Sequence, residues 1–84
     1  MINDAHIFME ALYDVCYRLG VTSEGVIPIT SVTVSNQLFQ EIVDESFNLL
    51  KHKPVRLQAH SAGTIIFEMN DQAILIRQDQ QFPA

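Results

Sequence analysis

The sequence predicts an α+β domain: an N-terminal helix, then β-α-β-β-β, with a small mixed four-stranded sheet that ends in an antiparallel meander and carries a helix on one face. Three observations predict it. The run TIIFEM-ND-QAILIR places two β-rich segments around Asn70-Asp71, a pair that tolerates the positive φ values of a type I′ hairpin turn. The run before it, Val55 to His60, alternates apolar and polar and is separated from Thr64 by Ser61-Ala62-Gly63, a loop whose glycine suits the left-handed position of a bulged turn. Between residues 36 and 51, apolar residues recur at helical spacing.

The two turns specify one register. Asn70-Asp71 sets Met69 opposite Gln72, Phe67 opposite Ile74 and Ile65 opposite Ile76, and the second loop sets Ala59 opposite Ile65, Leu57 opposite Phe67 and Val55 opposite Met69. Both send the large apolar side chains to the same side. A slip of one residue in either hairpin would turn its set to the other side, so their agreement supports the meander.

In chain order, residues 4–19 read as the first helix, with Asn3 as N-cap, Asp4 in the first turn, and Gly20-Val21 as its ending. Ala5, Phe8, Ala11, Leu12, Val15 and Leu19 form its expected core stripe. A second stripe, His6, Met9, Tyr13, Cys16 and Tyr17, lies beside it, and one side of a small sheet cannot readily cover both. This second stripe reads either as the rim of the core or, since tyrosine and methionine are enriched at interfaces, as a partner or self-association surface, and it is the surface assigned to the partner. Residues 27–34 read as a β-branched strand that Pro28 assigns to an edge or a strand start. Ser35 is the expected N-cap of the helix over 36–51, which would turn Leu38, Phe39, Ile42, Val43, Phe47 and Leu50 to the sheet and end at Pro54. This β-α-β segment implies that strand 27–34 runs parallel to strand 55–60. Residues 1–78 are expected to form a single domain and residues 79–84 a flexible tail.

With 84 residues, the chain suffices for one small core, and 48% apolar against 18% charged residues marks a globular chain with fewer charges than a typical surface carries. A net charge of −5 disfavours nucleic acid as a partner. Asp4, Glu10 and Asp14 break up any secretion signal, no apolar run approaches the ~20 residues of a membrane span, and Cys16 is the only cysteine; a cytoplasmic location is expected.

The residues offer little chemistry. Ala59-His60-Ser61-Ala62-Gly63 superficially matches a hydrolase nucleophile elbow, but a strand follows Ser61 where that motif needs a helix. His6, His52, His60 and Cys16 lack metal-ligand spacing, and no cofactor is expected. Lys51, His52, Lys53 and Arg56 form the single basic patch, read first as helix-end electrostatics and second as a polar contact through Lys51, Lys53 and Arg56, including a nucleic-acid alternative. Glu68 and Arg77 share the sheet face opposite the core and would suit a small ligand-binding or enzymatic site if another layer covered them. The leading expectation is a non-enzymatic protein-interaction module, self-associating or docked on a larger protein, of the accessory or inhibitor type that a phage or mobile element carries.

Overall fold

A computed structural model describes residues 3–46, 48–59 and 63–79. Helix α1 (Asp4–Thr22) is followed by β1 (Ser31–Val34), α2 (Asn36–Glu45), β2 (Arg56–Ala59), β3 (Thr64–Met69) and β4 (Gln72–Gln78). The strands form one mixed sheet in the order β1-β4-β3-β2. This is the expected α+β architecture. The tail and residues 60–62 of the second loop lie largely outside the described residues, as does Phe47.

The meander pairs as the turns dictate. Phe67 faces Ile74, Ile65 faces Ile76 and Met69 faces Gln72, while Leu57 faces Phe67 and Ala59 faces Ile65. Asn70 and Asp71 both adopt positive φ, 53° and 61°, as a type I′ turn requires, and Gly63 closes the other loop at 78°. Ile65, Phe67, Met69, Ile74 and Ile76 are all buried. Val55 falls just outside β2 but still packs against this core.

The expected common direction of β1 and β2 holds, and the structure supplies the strand order that the residues leave open. β1 does run in the same direction as β2, but it pairs with β4 at the opposite edge, with Ser31 beside Leu75 and Thr33 beside Arg77. The composition of the strands gives the reason. In β4 the run Ala73-Ile74-Leu75-Ile76 is continuously apolar, as suits a strand paired on both sides, whereas β2 is short and alternates with Arg56 and Gln58, as suits an edge. Gln72 reinforces the choice: its side-chain amide accepts from the Ile27 N–H at 2.7 Å and donates to the Ile27 carbonyl at 3.1 Å, fastening the chain ahead of β1 to the start of β4. The segment around Pro28 is therefore held by a side chain rather than by a ladder, and β1 begins at Ser31 instead of residue 27.

Helix α1 also differs from expectation. Its N-cap is Asn3, whose side chain accepts from the His6 N–H at 3.1 Å. At the other end it runs through Gly20 to Thr22 and closes with Glu24 at φ 57° and a hydrogen bond from the Gly25 N–H to the Gly20 carbonyl, the bond pattern of a Schellman ending displaced four residues along the chain. Gly20 thus serves packing rather than termination: a Cβ there would lie 3.2 Å from Asn70 Nδ2. Glu24 occupies the left-handed position that glycine usually fills, so Glu24→Gly is expected to raise stability by about 0.5–1 kcal/mol, read as a shift of the urea midpoint at constant slope.

The buried face of α1 is Ala5, Met9, Leu12, Cys16 and Gly20. This stripe is rotated by roughly 70° from the expected one, at 100° per residue. Met9 and Cys16, expected on the partner surface, lie wholly inside, whereas Val15 and Ala11, expected inside, are exposed. The physical cause is close approach. Small side chains at 5, 16 and 20 permit such an approach, which α1 makes to α2 and, at Gly20, to Ile27 and the hairpin tip at Asn70.

Helix α2 keeps its Ser35 cap, with Oγ accepting from the Leu38 N–H at 3.2 Å, but stops at Glu45 rather than residue 51. The chain then tightens through a Leu49 N–H to Glu45 carbonyl bond and reverses at Leu50, whose φ is 54°. This break buries both Leu49 and Leu50, which a continuous helix, with successive residues 100° apart, would not do equally. Phe39 and Ile42 are buried as expected, and Val43, 39% exposed, borders a small recess with Leu57 and Ile65 of the sheet.

Both helices share one core cluster with the inner side of the sheet. The molecule measures 42 × 31 × 19 Å, and its short dimension is that of one helix layer on one sheet. Among the described residues, nothing covers the other side of the sheet.

Candidate functional site

The registers lay out that open side as a grid. Its middle row runs Ser31, Leu75, Ile66, Gln58 across the four strands, because Ser31 pairs with Leu75, Leu75 with Ile66, and Ile66 with Gln58. The row on one flank is Thr33, Arg77, Thr64 and the row on the other is Ala73, Glu68, Arg56. Leu75 and Ile66 sit at the centre, each half-buried, with hydroxyl and amide side chains at their ends of the row. Arg56 stands at a corner of the grid and Arg77 in the middle of the opposite flank, and both are exposed.

Electrostatically this side is the exception on an acidic chain: two arginines and one glutamate, where the formal net charge of the whole is −5. Arg56 stands directly across from Glu68, yet among the described residues the recorded ion pair is elsewhere, Arg18 Nε to Asp14 Oδ2 at 3.1 Å on α1. The guanidinium groups of Arg56 and Arg77 are therefore held by no carboxylate of the described chain. An open recess of about 610 Å³ borders the Arg56 corner, lined by Pro54, Val55, Arg56, Glu68 and the hairpin tip Met69–Asp71. Glu68 and Arg77 do share this side, as the register demands, but the described chain supplies no second layer over them.

The expected partner stripe on α1 is not one surface. Met9 and Cys16 belong to the core, where burial pushes the Cys16 thiol above its usual pKa and keeps it protonated near neutrality. His6 is tied to the helix start, with its Nδ1 2.9 Å from Asn3 Oδ1; since that oxygen only accepts, Nδ1 carries the proton. Tyr13 packs partly against the core, stacks on Tyr17 with centroids 6.2 Å apart and receives Lys53 Nζ 5.1 Å above its ring. Tyr17 alone of the five is largely exposed, at 55%.

Because α2 ends early, Lys51, His52 and Lys53 do not cap a helix. They lie exposed on the turn that follows, beside Glu10 and Asn48 around a recess of about 380 Å³, while Arg56 has moved on to the sheet. The expected basic patch is thus divided between two places. Among the described residues, no group of three His, Cys, Asp or Glu side chains is placed to hold a metal ion, and no helix is long and apolar enough to cross a membrane.

The outer side of α1 was missed as a feature by sequence reasoning. Ile7 is 60% exposed and Val15 44%, with Ala11 exposed between them at i, i+4 spacing, and Asp4, Glu10 and Asp14 flank this line. The signal was present as a third apolar stripe, obscured because Val15 and Ala11 had been assigned to the core. No family model matches this chain, and searches of curated proteins and of solved structures likewise find no match.

Proposed function

We propose that this protein is a small non-enzymatic interaction module that associates with protein, including further copies of itself, through the open side of its sheet. The observation that carries this reading is the pair Leu75 and Ile66, set opposite one another at the centre of a sheet side that no layer of the described chain covers. Aliphatic residues at the centre, with arginine and hydroxyl side chains around them, follow the composition of a docking surface: an apolar middle, a polar rim and a preference for arginine over lysine. The sheet also supplies rigidity, since β3 and β4 are paired on both flanks and little ordering entropy is lost on association.

The test is to replace Leu75 and Ile66 together by lysine and follow the mass by light scattering over a concentration series. The wild-type mass is expected to rise with concentration and the double variant to stay at the 9.5 kDa of a single chain, with unchanged circular dichroism. A variant that associates as the wild type does would overturn the reading.

A further inference from the structure

We infer that the occupant of the open sheet side is the outer face of α1 from a second copy, so that copies stack head to tail. This rests on the reading of the open side as a docking surface and goes beyond it by naming what docks. Three features of the chain select this occupant.

The first is charge. Stacking two open sheet sides on each other would bring together two surfaces that each carry a pair of arginines against one glutamate. The outer face of α1 carries Asp4 and Asp14 against Arg18, which Asp14 holds, while Glu10 lies at its flank beside Lys51 and Lys53. Like charges at an interface are costly and opposite ones steer approach, so the sheet side meets the helix rather than its own copy.

The second is spacing. Arg56 and Arg77 lie two strand spacings apart, roughly 10 Å, and four residues apart along the strands, roughly 13 Å, which places their Cα atoms about 16 Å from each other. Asp4 and Asp14 are ten residues apart on one helix, about 15 Å along its axis. Between the arginines lie Leu75 and Ile66; between the aspartates lie Ile7 and Ala11, both exposed. Asp14 already holds Arg18 through one oxygen, and a carboxylate has a second for another guanidinium.

The third is topology. The outer face of α1 and the open side of the sheet are two different surfaces of the chain: the first is turned away from the core cluster that the helix shares with the sheet, and the second is the side of the sheet opposite that cluster. A contact between two different surfaces of the same chain is heterologous and does not close on itself at two copies, so assembly continues as an open series or a ring. The contact is small: three rows on four strands give a footprint on the order of 300 Å², well below the ~800 Å² per partner of a standard interface. Each link is therefore weak, sensitive to concentration and weakened by salt.

Charge reversal tests this directly. The variant Arg56→Glu/Arg77→Glu has an acidic sheet side and an acidic helix, and the variant Asp4→Arg/Asp14→Arg has a basic sheet side and a basic helix. Each alone is expected to stay monomeric by sedimentation velocity at low salt, with helical circular dichroism retained. Mixed in equal amounts they are expected to co-assemble, because both possible contacts between them are again complementary, and salt on the order of 0.5 M is expected to disperse the mixture. The wild type is expected to show a mass that climbs past the dimer. A mixture that stays monomeric while the wild type assembles overturns the α1 occupant. If the lysine variant at Leu75 and Ile66 also assembles like the wild type, the docking reading of the sheet side fails too; if that variant is monomeric, the sheet side stands and only its occupant is wrong.

Discussion

Met9→Ala is expected to destabilise the fold by about 2–5 kcal/mol, while Val15→Ala, six residues along the same helix, is expected to change it by no more than about 0.5 kcal/mol. Met9 has no exposed surface and shares a cluster with Phe67, Ile74 and Ile76, so truncation leaves a cavity that the rigid strands cannot fill. Val15 is 44% exposed and gives up little contact. In a domain of 84 residues, whose whole stability is on the order of 5–10 kcal/mol, the Met9 change alone removes a large share. Urea titration monitored by circular dichroism reads both. Equal losses at the two positions would mean that α1 is turned differently on the sheet.

The second large effect is at Gln72. Gln72→Ala is expected to cost about 2–3 kcal/mol, because it removes both hydrogen bonds to Ile27 and leaves an N–H and a carbonyl unpaired at a residue that is 2% exposed. Gln72→Glu separates the two contacts by pH. A carboxylate still accepts from the Ile27 N–H but meets the Ile27 carbonyl with a lone pair, whereas the protonated acid can donate to it. Protonation is thus favoured in the folded state, and the pKa of residue 72 is raised above the ~4.3 of an unfolded glutamate. The stability recovered is fully present below that unfolded value and is lost as pH rises through the folded one. Urea midpoints compared with the wild type at acidic and neutral pH measure it, and a Gln72→Glu deficit that does not shrink on acidification would show that the clamp does not form.

Much of this was legible in the residues. Turn chemistry at Asn70-Asp71 and Gly63 specified both hairpins and the register of their pairs, save Val55 opposite Met69, which lies before the start of β2, because positive φ and strict alternation leave few alternatives. Helix caps at Asn3 and Ser35 were equally local. The partition of α1 was not, since helical spacing suits the stripe through Phe8, Val15 and Leu19 as well as its neighbour, whereas the fold buries the stripe whose small members, Ala5, Cys16 and Gly20, permit close approach to α2 and the hairpin tip. Strand order was open for a related reason. Nothing near β1 in sequence says which edge of the meander it joins, and the deciding contact, Gln72 on Ile27, spans 45 residues. The end of α2 followed from burial of Leu49 and Leu50 together, a tertiary demand that overrides a periodic pattern.

The same reasoning relocates the candidate surface. The Tyr13 and Tyr17 flank of α1 was read as an interface because two stripes competed for one sheet. The fold resolves that competition by taking Met9 and Cys16 inward and leaving Ile7, Ala11 and Val15 outside. On the sheet's other side the sequence reading reached Glu68 and Arg77 but did not single out the apolar centre, Leu75 and Ile66, since whether a strand face is covered depends on how many layers the whole chain can supply.

Thiol labelling of adjacent positions on β4 reads that side most directly. Leu75→Cys is expected to react with a thiol reagent in dilute folded protein and to become protected as concentration rises, whereas Ile74→Cys, facing the core, stays unreactive throughout, as does the buried native Cys16. Protection of Leu75→Cys at every dilution would mean that a further layer covers the sheet within one chain, and labelling that never slows with concentration would mean that nothing docks there.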